Sequence, residues 1–157
     1  MSVQLFGWVM ALGGGVASMT AMLLNGRLVM KYGAHRMIAF SVVIMLLSGL
    51  LMLWLHYKVG MRAWAIIIPA QLFSFGAMFM FPNTFSIAFT PFKKISGYAG
   101  ALYGGSQLAG GGILGAIASH LSDLNQRPLA MILIVLPICV AIVYKSILPN
   151  LAAQQQG

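Results

Sequence analysis

Five long apolar stretches fill this chain, and its one acidic residue, Asp123, lies outside all of them. Crossing about 30 Å of hydrocarbon takes roughly 20 apolar helical residues. At 157 residues the chain suits five such spans with short connections and leaves no room for a soluble domain. Residues are 61% hydrophobic and only 6% charged, too little charge to cover the surface of a soluble fold. The expected fold class is therefore all-α, a polytopic membrane protein in a single membrane domain, with spans at about 3–24, 37–55, 64–90, 98–121 and 129–148. Strands are excluded: open strands leave backbone groups unsatisfied in lipid, and the runs are too long and uniformly apolar for a barrel. The first stretch has no positive residue before it and is too long for the core of a secretory signal.

A formal net charge of +8 raises the question of nucleic acid. The nine basic residues answer it. They lie singly or in pairs at the ends of apolar runs, where charge orients membrane helices. None forms a basic run interleaved with aromatics, so no nucleic-acid partner is expected. The expected partner is the lipid bilayer. Arg27, Lys31, Arg36, Lys93, Lys94 and Lys145 fall on one side; Lys58, Arg62 and Arg127 fall on the other. The first side is expected to be cytoplasmic, which puts the N-terminus outside and the C-terminus inside.

Enzymatic chemistry finds no footing. There is no acidic pair, no metal-ligand cluster and no nucleophile motif. Cys139 is the lone cysteine and sits in an apolar run, where it reads as a small filler. No cofactor and no metal are expected.

Three features remain. The first is the stretch from Asn25 to Arg36, expected to form a tight polar turn carrying Gly26, Arg27, Lys31, Gly33 and Arg36. It is either a plain positively charged connection or a docking point for acidic residues and helix C-termini. The second is the fourth stretch, where Gly100/Gly104 and Gly111/Gly115 repeat at four-residue spacing. Such pairs permit close helix contact, as static packing or as a sliding face. The third is a set of polar and aromatic residues at membrane depth. Gln71, Phe75 and Phe79 share one helix face, Tyr103 and Gln107 share another, and Asn83 adds an amide. They suit a broad pocket for lipophilic compounds, and they equally suit helix-to-helix packing. Pro69 and Pro82 leave a kink or an unwound segment open in the third stretch.

The turn residues Gly26, Leu28, Lys31 and Gly33 resemble a degraded copy of the loop that joins helices 2 and 3, and helices 8 and 9, in the major facilitator superfamily. Met30 stands where that loop has an acid, and Ala34 and His35 stand where it has a basic pair. Downstream, Met80-Phe81-Pro82-Asn83, Thr90-Pro91-Phe92, Gly97-Tyr98-Ala99-Gly100-Ala101-Leu102-Tyr103-Gly104 and Gln107 resemble the helix 10 to helix 11 region of Bcr/CflA-type drug-resistance transporters. The resemblance covers essentially the whole chain and implies helices 8–12 of a twelve-helix exporter in a bacterial inner membrane. It implies drug:proton antiport for the complete protein, with Gln71, Phe75, Phe79 and Gln107 near the central cavity. No acid lies in the five spans, so the chain alone is expected to be inactive, with a missing N-terminal half as its partner. Two alternatives are a half-transporter that works as a dimer or with a separate first half, and a membrane scaffold or regulator.

Overall fold

The computed structural model describes residues 2–90, 95–121 and 126–154, with side chains except at 3, 96, 118, 120, 121 and 148–154. The chain is a polytopic, all-α membrane protein, and its described residues form five helices. They are α1 (Val3–Tyr32), α2 (Ala34–Val59), α3 (Ala63–Phe89), α4 (Ser96–Leu121) and α5 (Arg127–Gln154). Four of them, all but the glycine-rich α4, are long and apolar enough to cross a membrane by length and composition. Lys93, Lys94, Asp123 and the Pro91-Phe92 pair lie outside the described residues.

Local chemistry sets the helix ends. Ser2 accepts the backbone N–H of Leu5 at 3.3 Å and caps α1. Pro128 stands in the first turn of α5, where its missing N–H costs nothing. The polar turn expected from Asn25 to Arg36 is not what forms. Helix α1 runs on through Asn25, Arg27 and Lys31, and the chain breaks at Gly33 alone, with φ 80°. Leu28 to Lys31 are compatible with helix, and glycine at positive φ suffices to reverse the chain. Gly60, with φ 73°, ends α2 in the same manner, its N–H bonding the carbonyl of His56 at 3.1 Å. Helix α3 is likewise continuous through Pro69 and Pro82, with no unwound segment between them.

Helix α2 is the hub, lying against both α3 and α5, while α3 also packs on α1. Its buried residues form one stripe: Met37, Ile38, Ser41, Val42, Met45, Ser48, Gly49, Met52 and Leu55. Two clusters grow from it. Met37 joins Ala21 and Phe79 at one end. Met52 joins Ala130 and Leu133 about 22 Å along the axis. Helix α4 is more lightly held, with Tyr103 set against Phe85 and Phe89 of α3.

Two glycines make the hub possible. A methyl at Gly49 would lie 2.7 Å from Cγ1 of Ile134, and 2.9 Å from backbone atoms of Leu133 and Ile134. One at Gly76 would lie 2.9 Å from Cγ of Met45. By contrast, a methyl at Gly104, Gly111 or Gly115 would meet nothing within 4 Å, and one at Gly100 only Phe89 at 3.9 Å. In this chain Gly49→Ala should therefore destabilise by about 1–3 kcal/mol, because helix backbones must part. Gly111→Ala should leave stability unchanged. Denaturant unfolding of both variants in mixed micelles checks the contrast.

Candidate functional site

The α3 face that carries Gln71, Phe75, Phe79 and Asn83 turns toward α1 and α2. Gln71 donates from Nε2 to the carbonyl of Met10 at 3.0 Å. Its amide occupies the space left by Gly13 and Gly14, where an added methyl would come within 3.0 and 3.4 Å of it. Its Oε1 is buried without a hydrogen-bond partner. Phe75 and Phe79 stack obliquely with ring centres 5.2 Å apart, and Phe40 meets Phe79 edge-on at 5.7 Å. Phe79 is almost fully buried.

Asn83 is 2% exposed and makes the tightest polar contact between helices on this face. Its Nδ2 donates to Oδ1 of Asn25 at 2.7 Å and to the carbonyl of Phe79 at 2.6 Å. Asn25 itself is buried. The sequence reading placed it in a polar turn and missed it. The available signal was its spacing: Asn25 lies four residues after buried Ala21, on the same helix face.

Tyr103 is held elsewhere. It meets Phe85 and Phe89 nearly edge-on at 5.3 and 5.9 Å, and those two rings stack at 3.8 Å. Its ring also lines an apolar cavity of about 390 Å³ between α2, α3, α4 and α5, together with Phe81, Thr84, Cys139 and Tyr144. Cys139 is exposed there rather than filling a core position. Gln107 is exposed on α4 and lines a second, shallow cavity of about 840 Å³ with Phe81, Gly104 and Gly111. The six residues singled out in the sequence thus fall into three places. Four form the α1–α3 seam, Tyr103 faces one cavity, and Gln107 faces another.

The basic stretch is split across the Gly33 break. Gly26, Arg27 and Lys31 belong to the end of α1, and Arg36 to the first turn of α2. Lys31 stands 5.2 Å from the centre of the Tyr32 ring, a cation–π contact. Arg36, Leu28, Tyr32, Met37 and Phe40 line a recess of about 360 Å³. His35, next to Arg36, hydrogen-bonds the hydroxyl of Tyr144 and so ties the start of α2 to α5. Sequence reasoning treated His35 only as a departure from a motif. Among the described residues no group of three His, Cys, Asp or Glu side chains is placed to hold a metal.

The Asn25–Asn83 pair yields a direct test. Asn83→Ala removes the bond and leaves the Asn25 amide buried without it. Each single alanine variant should destabilise by about 1 kcal/mol or more. Their double-mutant cycle should return a coupling of about 0.6–1.7 kcal/mol. Unfolding of the four proteins in micelles measures it.

No family model matches the chain. No solved structure matches it. Over 117 residues, 74% of its length, the chain is 35% identical to multidrug resistance protein D of Escherichia coli (strain K12), and the matched stretch is 29% of that protein, so the chain spans less than a third of the relative it resembles.

Proposed function

We propose that this chain is the C-terminal part of a multidrug exporter of the major facilitator type, corresponding to helices 8–12 of a twelve-helix protein. The observation that carries the reading is the 35% identity over 117 residues to multidrug resistance protein D. Supporting it are the helical membrane fold, the degraded loop residues Gly26, Leu28, Lys31 and Gly33, and the helix 10 to helix 11 motifs. Transport, not catalysis, is its task. The bilayer and a lipophilic small molecule are its partners, together with the N-terminal half of such an exporter. It sits in a bacterial inner membrane with its C-terminus in the cytoplasm, an orientation supported by the split of basic residues.

Within that reading, Tyr103 and Gln107 meet the transported compound. Phe81 lies between them, lining both cavities. Gln71, Phe75, Phe79 and Asn83 form the wall behind, where their amides and rings join α1 to α3. Two broad surfaces of this chain suit contact with further helices. One is the apolar face of α1, where Trp8, Leu12, Val16 and Met19 are all about two-thirds exposed. The other is the glycine face of α4, open at Gly104, Gly111 and Gly115. The same two faces favour a dimer of this chain as the second reading.

The described helices contain no carboxylate side chain, so proton antiport by the lone chain has no acid to use. Expressed alone in an efflux-deficient host, the chain should give no proton-dependent dye extrusion; extrusion without another subunit would overturn its dependence on a first half. Grafted in place of the matching segment of multidrug resistance protein D, it should restore a measurable share of that protein's drug resistance. A correctly inserted chimera with none would count against the transporter reading.

A further inference from the structure

Where Gly33 joins α1 to α2, apolar wall and positive charge stand in a definite order. The two helices are consecutive yet touch only lightly. The recess of about 360 Å³ between them is lined by Leu28 and Tyr32 of α1 and by Arg36, Met37 and Phe40 of α2. Tyr32 is 41% exposed and Phe40 45%, so its aromatic walls open outward rather than into the bundle. Arg27 and Lys31 each precede a lining residue by one position and so flank the α1 wall. Lys31 already has a use. It stands in the last turn of α1, where it answers the carbonyl end of that helix, and it contacts the Tyr32 ring. Arg36 has none. Among the described residues it makes no hydrogen bond, ion pair or ring contact, and no carboxylate is there to pair with it. It belongs to the first turn of α2, which begins at Gly33 with no side-chain cap and no acid in that turn. The first backbone N–H groups of α2 therefore add a second positive end beside the guanidinium.

We propose that this recess binds a phospholipid of net negative charge from the surrounding bilayer. The phosphate bonds the guanidinium of Arg36 at the start of α2, and an acyl chain lies along Phe40 and Leu28 with Met37 as the floor. Charge complementarity selects the anion. A guanidinium presents paired donors that match two phosphate oxygens, and a helix N-terminus favours negative charge. Order along the helix selects a lipid over a soluble anion. Phe40 lies four residues beyond Arg36, about 6 Å further into the span. The cation thus comes before the apolar wall, as a headgroup comes before its chain. A neutral phospholipid brings its own ammonium, which Arg27, Lys31 and Arg36 repel; a net-negative one does not. Each cation near a membrane surface adds about five-fold to the affinity for anionic lipid. The site stands apart from the drug-transport reading, because nothing in it requires substrate and other residues line the cavities assigned to the transported compound.

The test is native mass spectrometry of the full chain, released from detergent micelles and titrated with dioleoylphosphatidylglycerol or dioleoylphosphatidylcholine. The two lipids carry the same chains; the first is net negative and the second neutral. The first phosphatidylglycerol should bind about ten-fold or more tightly than phosphatidylcholine. Arg36→Gln should cost about five-fold in phosphatidylglycerol affinity and leave phosphatidylcholine binding unchanged. Arg62→Gln removes one charge outside the recess, just before α3, and should leave both affinities unchanged. Equal binding of the two lipids, or equal losses in the two variants, would overturn the proposal. Glycerol phosphate, a headgroup without chains, should not displace the lipid at equal concentration; displacement would make this a plain phosphate site and overturn the lipid assignment. A dimer that persists while lipid is excluded would give the recess to a second copy of the chain and overturn it as well. If Arg36→Gln does not fold, the wild-type comparison of the two lipids and glycerol phosphate decides.

Discussion

The described helices depend on how closely α2 can approach its neighbours. In lipid there is little hydrophobic gain in pressing one apolar helix against another, so association rests on van der Waals packing and on hydrogen bonds between helices. Both need backbones near each other. At Gly49 the missing Cβ lets the backbone of α5 come to a distance that no side chain tolerates, and at Gly76 it lets the α2 side chains of Met45 and Ile44 press against the α3 backbone. Ser41 and Ser48 continue the narrow stripe. Ser48 also uses its closeness, donating to the carbonyl of Pro69 at 2.6 Å. Small side chains set the distance, and one hydroxyl then bonds across it.

The polar residues at membrane depth follow from that geometry. Gln71 reaches the α1 backbone because Gly13 and Gly14 leave room for an amide, and Asn83 reaches Asn25 across the same seam. These contacts stiffen α1 against α3. The cavities that could admit a lipophilic compound lie on the other side of α3, toward α4 and α5, where packing is sparse. Helix α3 thus carries a hydrogen-bonded seam on one face and open volume on the other.

The helical membrane class was legible because long apolar runs leave few alternatives in lipid. The reversal at Gly33 was harder to place. Asn25, Gly26 and Arg27 look like a turn by composition, yet a helix tolerates them, and Asn25 is partnered by Asn83 from a helix 58 residues away. No local pattern carries that. Glycine spacing has a related limit. The repeat at 100, 104, 111 and 115 reports where a helix could be approached closely. Whether anything does approach depends on the neighbour's position, and the closest approaches in the described structure are at isolated Gly49 and Gly76. Gln71, Phe75 and Phe79 were correctly grouped on one face by their spacing alone, but the direction of that face, toward α1 and α2, depended on the fold.

The same geometry bears on how such a bundle could respond to its surroundings. Helix α2 touches α5 at both ends by polar side chains, His35 with Tyr144 at one and His56 with Arg127 at the other, and between them the backbones meet at Gly49. A close backbone contact in the middle is a natural pivot, because its geometry cannot be relaxed by side-chain rotation. The contacts at the two ends are made by side chains and can adjust by rotation, so the Gly49 approach is what fixes the separation of the two helices.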